Sequence, residues 1–194
     1  MIVMTEKLQK IMDELKVSNA ETYYHCLHVK ALTFKMIKAM NSEKSTGYTP
    51  EEIDSICKGA ILHDIGKLDV KNAVLTKDSS LTPEEKNDMS CHTKTGFEMI
   101  QDELTETEYD IIKNICLYHH ERTDGKGYEG KSDLPVYVQL VSICDVFDAL
   151  RTDRVYRKKL SYDETMRIIK EGGSGHFDEN IIAYLEKVTC GSEE

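Results

Sequence analysis

Apolar residues recur along the chain three or four positions apart, and nowhere in sustained alternation, so the pattern predicts helices and no sheet. Leu8, Ile11, Met12 and Leu15 share one face and predict a helix from about Met4 to Lys16. Val29, Leu32 and Met36 predict a second from about Ala20 to Met40, with a polar loop from Asn41 to Tyr48. Ile53, Ile56, Cys57, Ala60 and Ile61 make the third stripe. Thr49-Pro50-Glu51-Glu52 opens that helix with an N-cap, a proline at the first position and a capping-box glutamate. The same signature recurs at Thr82-Pro83-Glu84-Glu85, and Ser161 with Glu164 is a further box. Breaks are expected at Gly66, in the loop carrying Gly125, Gly127 and Gly130, and at Gly172, Gly173 and Gly175. The fold class is all-α, one domain over 1–194, with an N-terminal helix in 1–19 and a core in 20–190.

What interrupts the apolar stripes is more informative than the stripes. Stepping back by fours along the second helix reaches His25 and then Glu21, placing both on the buried side. The third stripe runs straight into His63 and Asp64. Met89, Gly96, Met99 and Ile100 share a face with His92 on a fifth helix. Ile111, Ile112, Ile115 and Cys116 lead into His119 and His120, and Leu134, Val138 and Val141 share a face with Asp145. One inward histidine is usually a hydrogen-bonded core residue. Here five of the chain's seven histidines converge with three carboxylates, and burying carboxylates without partners costs several kcal/mol each. Multivalent cations remove that cost.

The donor set is imidazole nitrogen and carboxylate oxygen without thiolate, which suits iron or manganese better than a structural zinc. Six or seven ligands exceed what one ion with an open position uses, so two or more divalent ions are expected. Asp64 has two oxygens and can bridge them. A water between two such ions becomes hydroxide near neutral pH, the nucleophile of metal-assisted hydrolysis.

Composition narrows the partners. At 194 residues with 40% hydrophobic and 31% charged residues, the chain is ordinary globular material. A net charge of −10 argues against a long polyanion, because such binding rests on Lys and Arg neutralising phosphates. A small phosphorylated substrate is compatible with local positive charge. The six cysteines are widely spaced, contain no C-x-x-C pair and read as reduced thiols. No signal peptide or membrane-spanning run is visible, and a cytoplasmic protein is expected.

These residues resemble a known pattern. His63-Asp64-Ile65-Gly66-Lys67 is similar to the HD-x-G-K core of HD-domain phosphohydrolases. His119-His120-Glu121 with Asp124-Gly125-Lys126-Gly127-Tyr128 resembles the HHE-x-x-DG-x-GYP signature of HD-GYP phosphodiesterases. Asp145-Val146-Phe147-Asp148-Ala149-Leu150 with Thr152-Asp153-Arg154-Val155-Tyr156-Arg157 is similar to that family's D-x-x-DAL-T-x-RPYR segment. His92 with Gly96, and Phe177-Asp178, match two further elements, so the resemblance runs from about Glu21 to Asp178.

The resemblance implies an HD-domain helical bundle with a central metal site of His25, His63, Asp64, His92, His119, His120 and Asp145. Glu21 falls where members proposed to hold a third metal carry a glutamate, giving two or three ions. Lys67 corresponds to a lysine near the substrate phosphate or the nucleophilic water, so Asp64 and Lys67 are the candidate catalytic pair. Arg154 and Arg157 fall where the family grips phosphates, and Tyr128 is a further candidate substrate contact. The implied activity is hydrolysis of a cyclic dinucleotide, cyclic di-GMP or the mixed GMP-AMP form. Other readings are a phosphohydrolase on another nucleotide, a di-iron oxygenase, or a module that binds a dinucleotide without turnover. A homodimer through the amphipathic first helix is open.

The chain also departs from the pattern. Glu129 stands in place of the GYP proline, His28 in place of a frequent arginine, and Val155 in place of the RPYR proline. None removes a metal ligand. Glu121 and Asp124 can support a ligand or only shape their loop, and His28 is read as a packed polar residue.

Overall fold

The protein is described from a computed structural model covering residues 2–153, 158–172 and 177–190. Among these residues the chain is helical and holds no β-strand. The helices are α1 (Glu6–Ser18), α2 (Ala20–Ser42), α3 (Pro50–Leu62), α4 (Asn72–Leu75) and α5 (Pro83–Ser90). They continue as α6 (His92–Ile100), α7 (Glu106–Tyr118), α8 (Val136–Arg151), α9 (Tyr162–Glu171) and α10 (Glu179–Thr189). A 3₁₀ turn, Ile65–Asp69, follows α3.

The caps act where the sequence places them. Thr49 with Glu52, Thr82 with Glu85 and Ser161 with Glu164 form reciprocal boxes at the starts of α3, α5 and α9. A fourth box, Thr105 with Glu108, opens α7. Each ties down amide groups that the first turn leaves unpaired.

Two apolar clusters build the interior. Met36, Ile37, Ile56, Leu140, Ile143 and Leu185 belong to the one formed by α2, α3, α8, α9 and α10. Leu8, Leu15, Leu62, Ile65, Ile100 and Ile112 belong to the one joining α1, α3, α6 and α7. The apolar face of α1 (Leu8, Met12, Leu15) is therefore occupied within the chain. Helix α3 packs closely on α7 at Gly59, where an added Cβ would lie 2.6 Å from Ile115 Cδ1 and that side chain would have to turn aside. Alongside, buried Lys58 pairs with Glu108 at 2.8 Å.

One expected helix is divided. The stripe from Met89 to Ile100 predicts a continuous element, yet the helix breaks at Cys91. At the break His92 Nδ1 lies 2.5 Å from the Met89 carbonyl, which also takes the Cys91 amide. A continuous helix would give that carbonyl to the Thr93 amide. All six cysteines are free thiols; Cys26, Cys57, Cys116 and Cys144 are buried, while Cys91 and Cys190 are exposed, so Cys91 is not a packing residue. No helix among the described residues is long and apolar enough to cross a membrane.

Candidate metal centre

Five elements bring the polar residues together. His25 comes from α2, His63 and Asp64 from the end of α3, His92 from the first position of α6, His119 and His120 from the end of α7, and Asp145 from α8. The end of α3 meets the start of α6 backbone to backbone. A Cβ on Gly66 would fall 2.0 Å from the His92 carbonyl oxygen and 2.6 Å from the Gly96 amide nitrogen, so only glycine admits this approach.

The imidazoles are locked in one orientation. His63 Nδ1 lies 2.8 Å from the Ala60 carbonyl, His92 Nδ1 bonds Met89, and His119 Nδ1 is 3.1 Å from both Ile115 and Cys116 carbonyls. A carbonyl only accepts, so each Nδ1 carries the proton and each Nε2 presents a lone pair to the centre. His25 Nδ1 is held 2.6 Å from Asp148 Oδ2 in the same way. This is how proteins orient histidines for a metal.

Two groups can hold an ion: Asp64, His92, His119 and His120, and His25, His63 and Asp145, with the ligand atoms of each group within 4.8 Å of one another. Asp64 faces both. Its Oδ1 is 3.3 Å from His92 Nε2 and 3.8 Å from His119 Nε2; its Oδ2 is 3.5 Å from His63 Nε2 and 3.8 Å from His25 Nε2. His120 Nδ1 is 3.9 Å from Asp145 Oδ2, which ties the groups a second time.

The residues fit divalent cations on the structure's own terms. His63 Nε2 and Asp64 Oδ1 are buried without a hydrogen-bond partner among the described residues. His92 Nε2 and His119 Nε2 face each other at 3.3 Å, both as lone pairs if both Nδ1 atoms are protonated. Acceptors turned on one another in a dry interior are costly, and a cation between them removes the cost.

The electrostatics separate the histidines. Burial, with His120, His63 and His92 beside it, pushes His119 well below the usual histidine range, and burial brings His120 down to about 4. Burial lowers His63 too. His25 goes the other way: burial opposes its charge, but hydrogen bonds to Asp145 and Asp148 outweigh it and raise His25 to about 9. Burial works against the Asp64 charge, yet Lys67, His63 and His92 hold that carboxyl well below the usual range. Lys67 is raised despite burial, because Asp64 and Asp145 favour its charge.

The centre opens on a cavity of about 620 Å³ whose wall includes His25, Lys67, His92, His120 and Tyr128. That volume lies within the range of small-molecule sites. Lys67 Nζ sits 2.5 Å from Asp64 Oδ2 and also borders the cavity. Glu21 borders it as well, but as an exposed residue outside both groups rather than on the buried side, because the first turn of α2 forms part of the rim. Tyr128 is 49% exposed, its ring 4.8 Å from that of His120. Arg154, Arg157 and Val155 lie outside the described residues.

Two supporting carboxylates escape the helical stripes. Asp148, one turn after Asp145 on α8, holds His25 Nδ1 and also lies 3.2 Å from Nδ1 of His28. His28 is therefore an exposed partner of Asp148 rather than a packed residue; spacing of i and i+3 from Asp145 is the signal that could have found Asp148. Glu121 is almost fully buried and accepts the amides of Glu129 and Lys131, each at 2.7 Å. Proline at position 129 has no N–H to offer, so the departure to Glu129 supplies a bond that the GYP tripeptide lacks. Asp124 forks onto Arg122 at 2.8 and 2.9 Å and caps the turn at Lys126, away from the centre.

The chain is similar to known proteins. A sequence model of the HD domain matches residues 22–150. The chain is 36% identical over 173 residues to a cyclic di-GMP phosphodiesterase of Vibrio cholerae, covering 84% of this chain and 35% of that protein. It is 28% identical over 142 residues to a 3′3′-cGAMP-specific phosphodiesterase of the same organism, covering 72% of this chain and 27% of that protein. It thus spans only about a third of these curated relatives. A solved HDG"Y"P protein from Bdellovibrio bacteriovorus superposes with a TM-score of 0.69 at 20% identity, covering 94% of this chain and 57% of that chain, a likeness of fold.

Proposed function

The chain belongs to the HD domain family, and from that premise we propose that it is a metal-dependent phosphodiesterase acting on a cyclic dinucleotide. The observation that carries this reading is Asp64, whose two oxygens face two separate groups of ligands at the wall of a cavity of small-molecule size. Relatives named for hydrolysis of cyclic di-GMP and 3′3′-cGAMP support the substrate class.

In this reading His92, His119 and His120 would hold one ion and His25, His63 and Asp145 a second, with Asp64 available to both; iron or manganese would suit the donors. Such ions supply a hydroxide nucleophile at neutral pH and polarise phosphoryl oxygens. The chain's own residues do the rest. Lys67, kept protonated by Asp64 and Asp145, places a positive charge on the cavity wall where a phosphate must lie. Backbone carbonyls at Ala60, Met89, Ile115 and Cys116 keep the imidazoles from rotating, so the ligand atoms need no rearrangement on loading. Tyr128 offers a ring at the cavity for a base, and Glu21 on the rim is proposed to serve a third ion. Arg154 and Arg157 are proposed to grip the substrate phosphates. A cytoplasmic site of action belongs to the same proposal, with the buried free thiols in keeping with a reducing compartment.

The test uses protein purified without oxygen, its metals quantified, and incubated separately with cyclic di-GMP and 3′3′-cGAMP. Linear dinucleotide or mononucleotide that disappears in Asp64→Ala establishes the activity and its base preference. Two bound ions per chain with no turnover of either substrate would overturn it.

A further inference from the structure

Resting on the phosphodiesterase reading, we propose that Glu121 is a positioning residue for Tyr128, and that the Tyr128 ring so held is the platform for a purine base of the substrate. Glu121 is 1% exposed, yet it touches neither ligand group; both of its oxygens point to the far end of the loop that follows it. Oε1 accepts the amide of Glu129 and Oε2 that of Lys131, each at 2.7 Å. These are charge-assisted bonds to a carboxylate that water scarcely reaches, the strong kind. They close a ring of backbone from residue 121 to residue 131, and the first falls one position after Tyr128.

The loop has little freedom to do otherwise. It passes so close to its own anchor that a Cβ on Gly127 would lie 2.5 Å from Glu121 Cα and 2.7 Å from Oε2. Gly125 (φ 71°) and Gly130 (φ 77°) take left-handed conformations, each placing its Cβ direction 3.5 Å from the other's carbonyl oxygen. Between those contacts Tyr128 is directed at the cavity, 4.8 Å from His120, the residue adjoining Glu121. One carboxylate therefore sets the distance between the ligand-bearing end of α7 and an exposed aromatic face. Tyr128, 49% exposed, shares the cavity wall with Lys67, and together they offer both surfaces a nucleotide needs, a π-face for the base and charge for the phosphate.

The experiment compares Glu121→Gln, Glu121→Ala, Tyr128→Phe, Tyr128→Ala and the Glu121→Ala/Tyr128→Ala double variant in the full chain, each checked for metal content. Amide exchange at residues 129 and 131 reads the anchor without catalysis and should rise in Glu121→Ala. KM for the cyclic dinucleotide should rise about tenfold in Glu121→Ala and in Tyr128→Ala, the effect of losing one stacked base, with kcat changed less than about threefold. Glu121→Gln, which keeps one acceptor oxygen at the same length, should fall between, and Tyr128→Phe should stay close to the parent. The double variant should be no worse than either single, because both changes remove the same contact. Additive losses in the double variant, or loss of metal or of kcat in Glu121→Gln, would overturn the proposal by showing that Glu121 acts on His120 or on folding. If the parent protein itself binds neither cyclic dinucleotide, the phosphodiesterase reading fails and takes the platform with it, while the exchange data still judge the anchor.

Discussion

At the scale of single residues, His25 is the group whose chemistry differs most from its neighbours. It lies between Asp148 at 2.6 Å and Asp145 at 3.0 Å and, in the metal-free protein, keeps its proton to about pH 9. To serve as a ligand its Nε2 must give that proton up. His120, lowered to about 4, and His119, lower than usual, are already neutral at pH 7 and release nothing. The sign follows: affinity for a divalent ion should increase as pH rises, about tenfold per unit for the one proton, and level off near pH 9. Titration calorimetry with manganese in buffers of different ionisation heat measures both the affinity and the proton released; a flat profile between pH 7 and 9 would remove His25 from the ligand set. In Asp148→Asn the plateau should move to lower pH. At pH 9, where proton competition has gone, that variant should bind metal about 10- to 100-fold more weakly, the usual effect of removing the carboxylate behind a metal-binding histidine. His25 was legible in the sequence because it interrupts an apolar stripe. Asp148 was legible only as a second carboxylate one turn from Asp145; that it holds Nδ1 of His25, 123 positions away, depends on how α2 meets α8, which no helical period encodes.

At the scale of elements, the site is made where helices end. His63 is the C-cap of α3, His119 the C-cap of α7, and His92 the first residue of α6. Those ends stay in register through the contact of Gly66 with α6. Gly66→Ala places a methyl group against two backbone atoms that cannot step aside, so the 3₁₀ turn must lift from α6. Overpacking of this kind costs about 1–3 kcal/mol, and at about 2–4 °C per kcal/mol for a chain of this size the melting temperature should fall by several degrees. The larger effect should be on activity, since lifting the turn carries Asp64 away from His92, and a misplacement of about 1 Å can lose about 100-fold in rate. Calorimetry and steady-state rates on Gly66→Ala check both; unchanged values for both would show that the turn and α6 are held together elsewhere. Stripes and caps predicted nearly every helix, because apolar period and capping chemistry are local. The break at Cys91 and the anchoring of residues 122–131 were not visible for the opposite reason. At the first an imidazole bonds a carbonyl of the preceding helix, and at the second a buried carboxylate takes amides from a loop.

At the scale of the whole molecule, the ligand set joins α2, α3, α6, α7 and α8, and so links both apolar clusters through one polar centre. One ion would join the ends of α3 and α7 to α6, a second would join α2, α3 and α8, and both would be bound by the folded chain alone. Mass action then stabilises the protein by about 2.7 kcal/mol at a metal concentration 100 times the dissociation constant. For this length that is a rise of about 5–10 °C in melting temperature, reversed by a chelator. The size of the rise should itself depend on pH. In the metal-free protein His25 is raised from 6.5 to about 9, so its contribution to stability is complete below about pH 6.5 and is lost as pH climbs toward 9. Over the same interval metal binds more tightly, since the competing proton leaves. The two are one proton linkage seen from two sides, and it widens the gap between loaded and chelated protein, so thermal scans with and without manganese should show a larger difference at pH 8.5 than at pH 7. A difference that shrinks toward pH 8.5 would mean that the ions do not displace the His25 proton. In that case the centre would be assembled around Asp64 and the α6–α7 histidines, with His25 and its two aspartates a separate ion-paired cluster beside it.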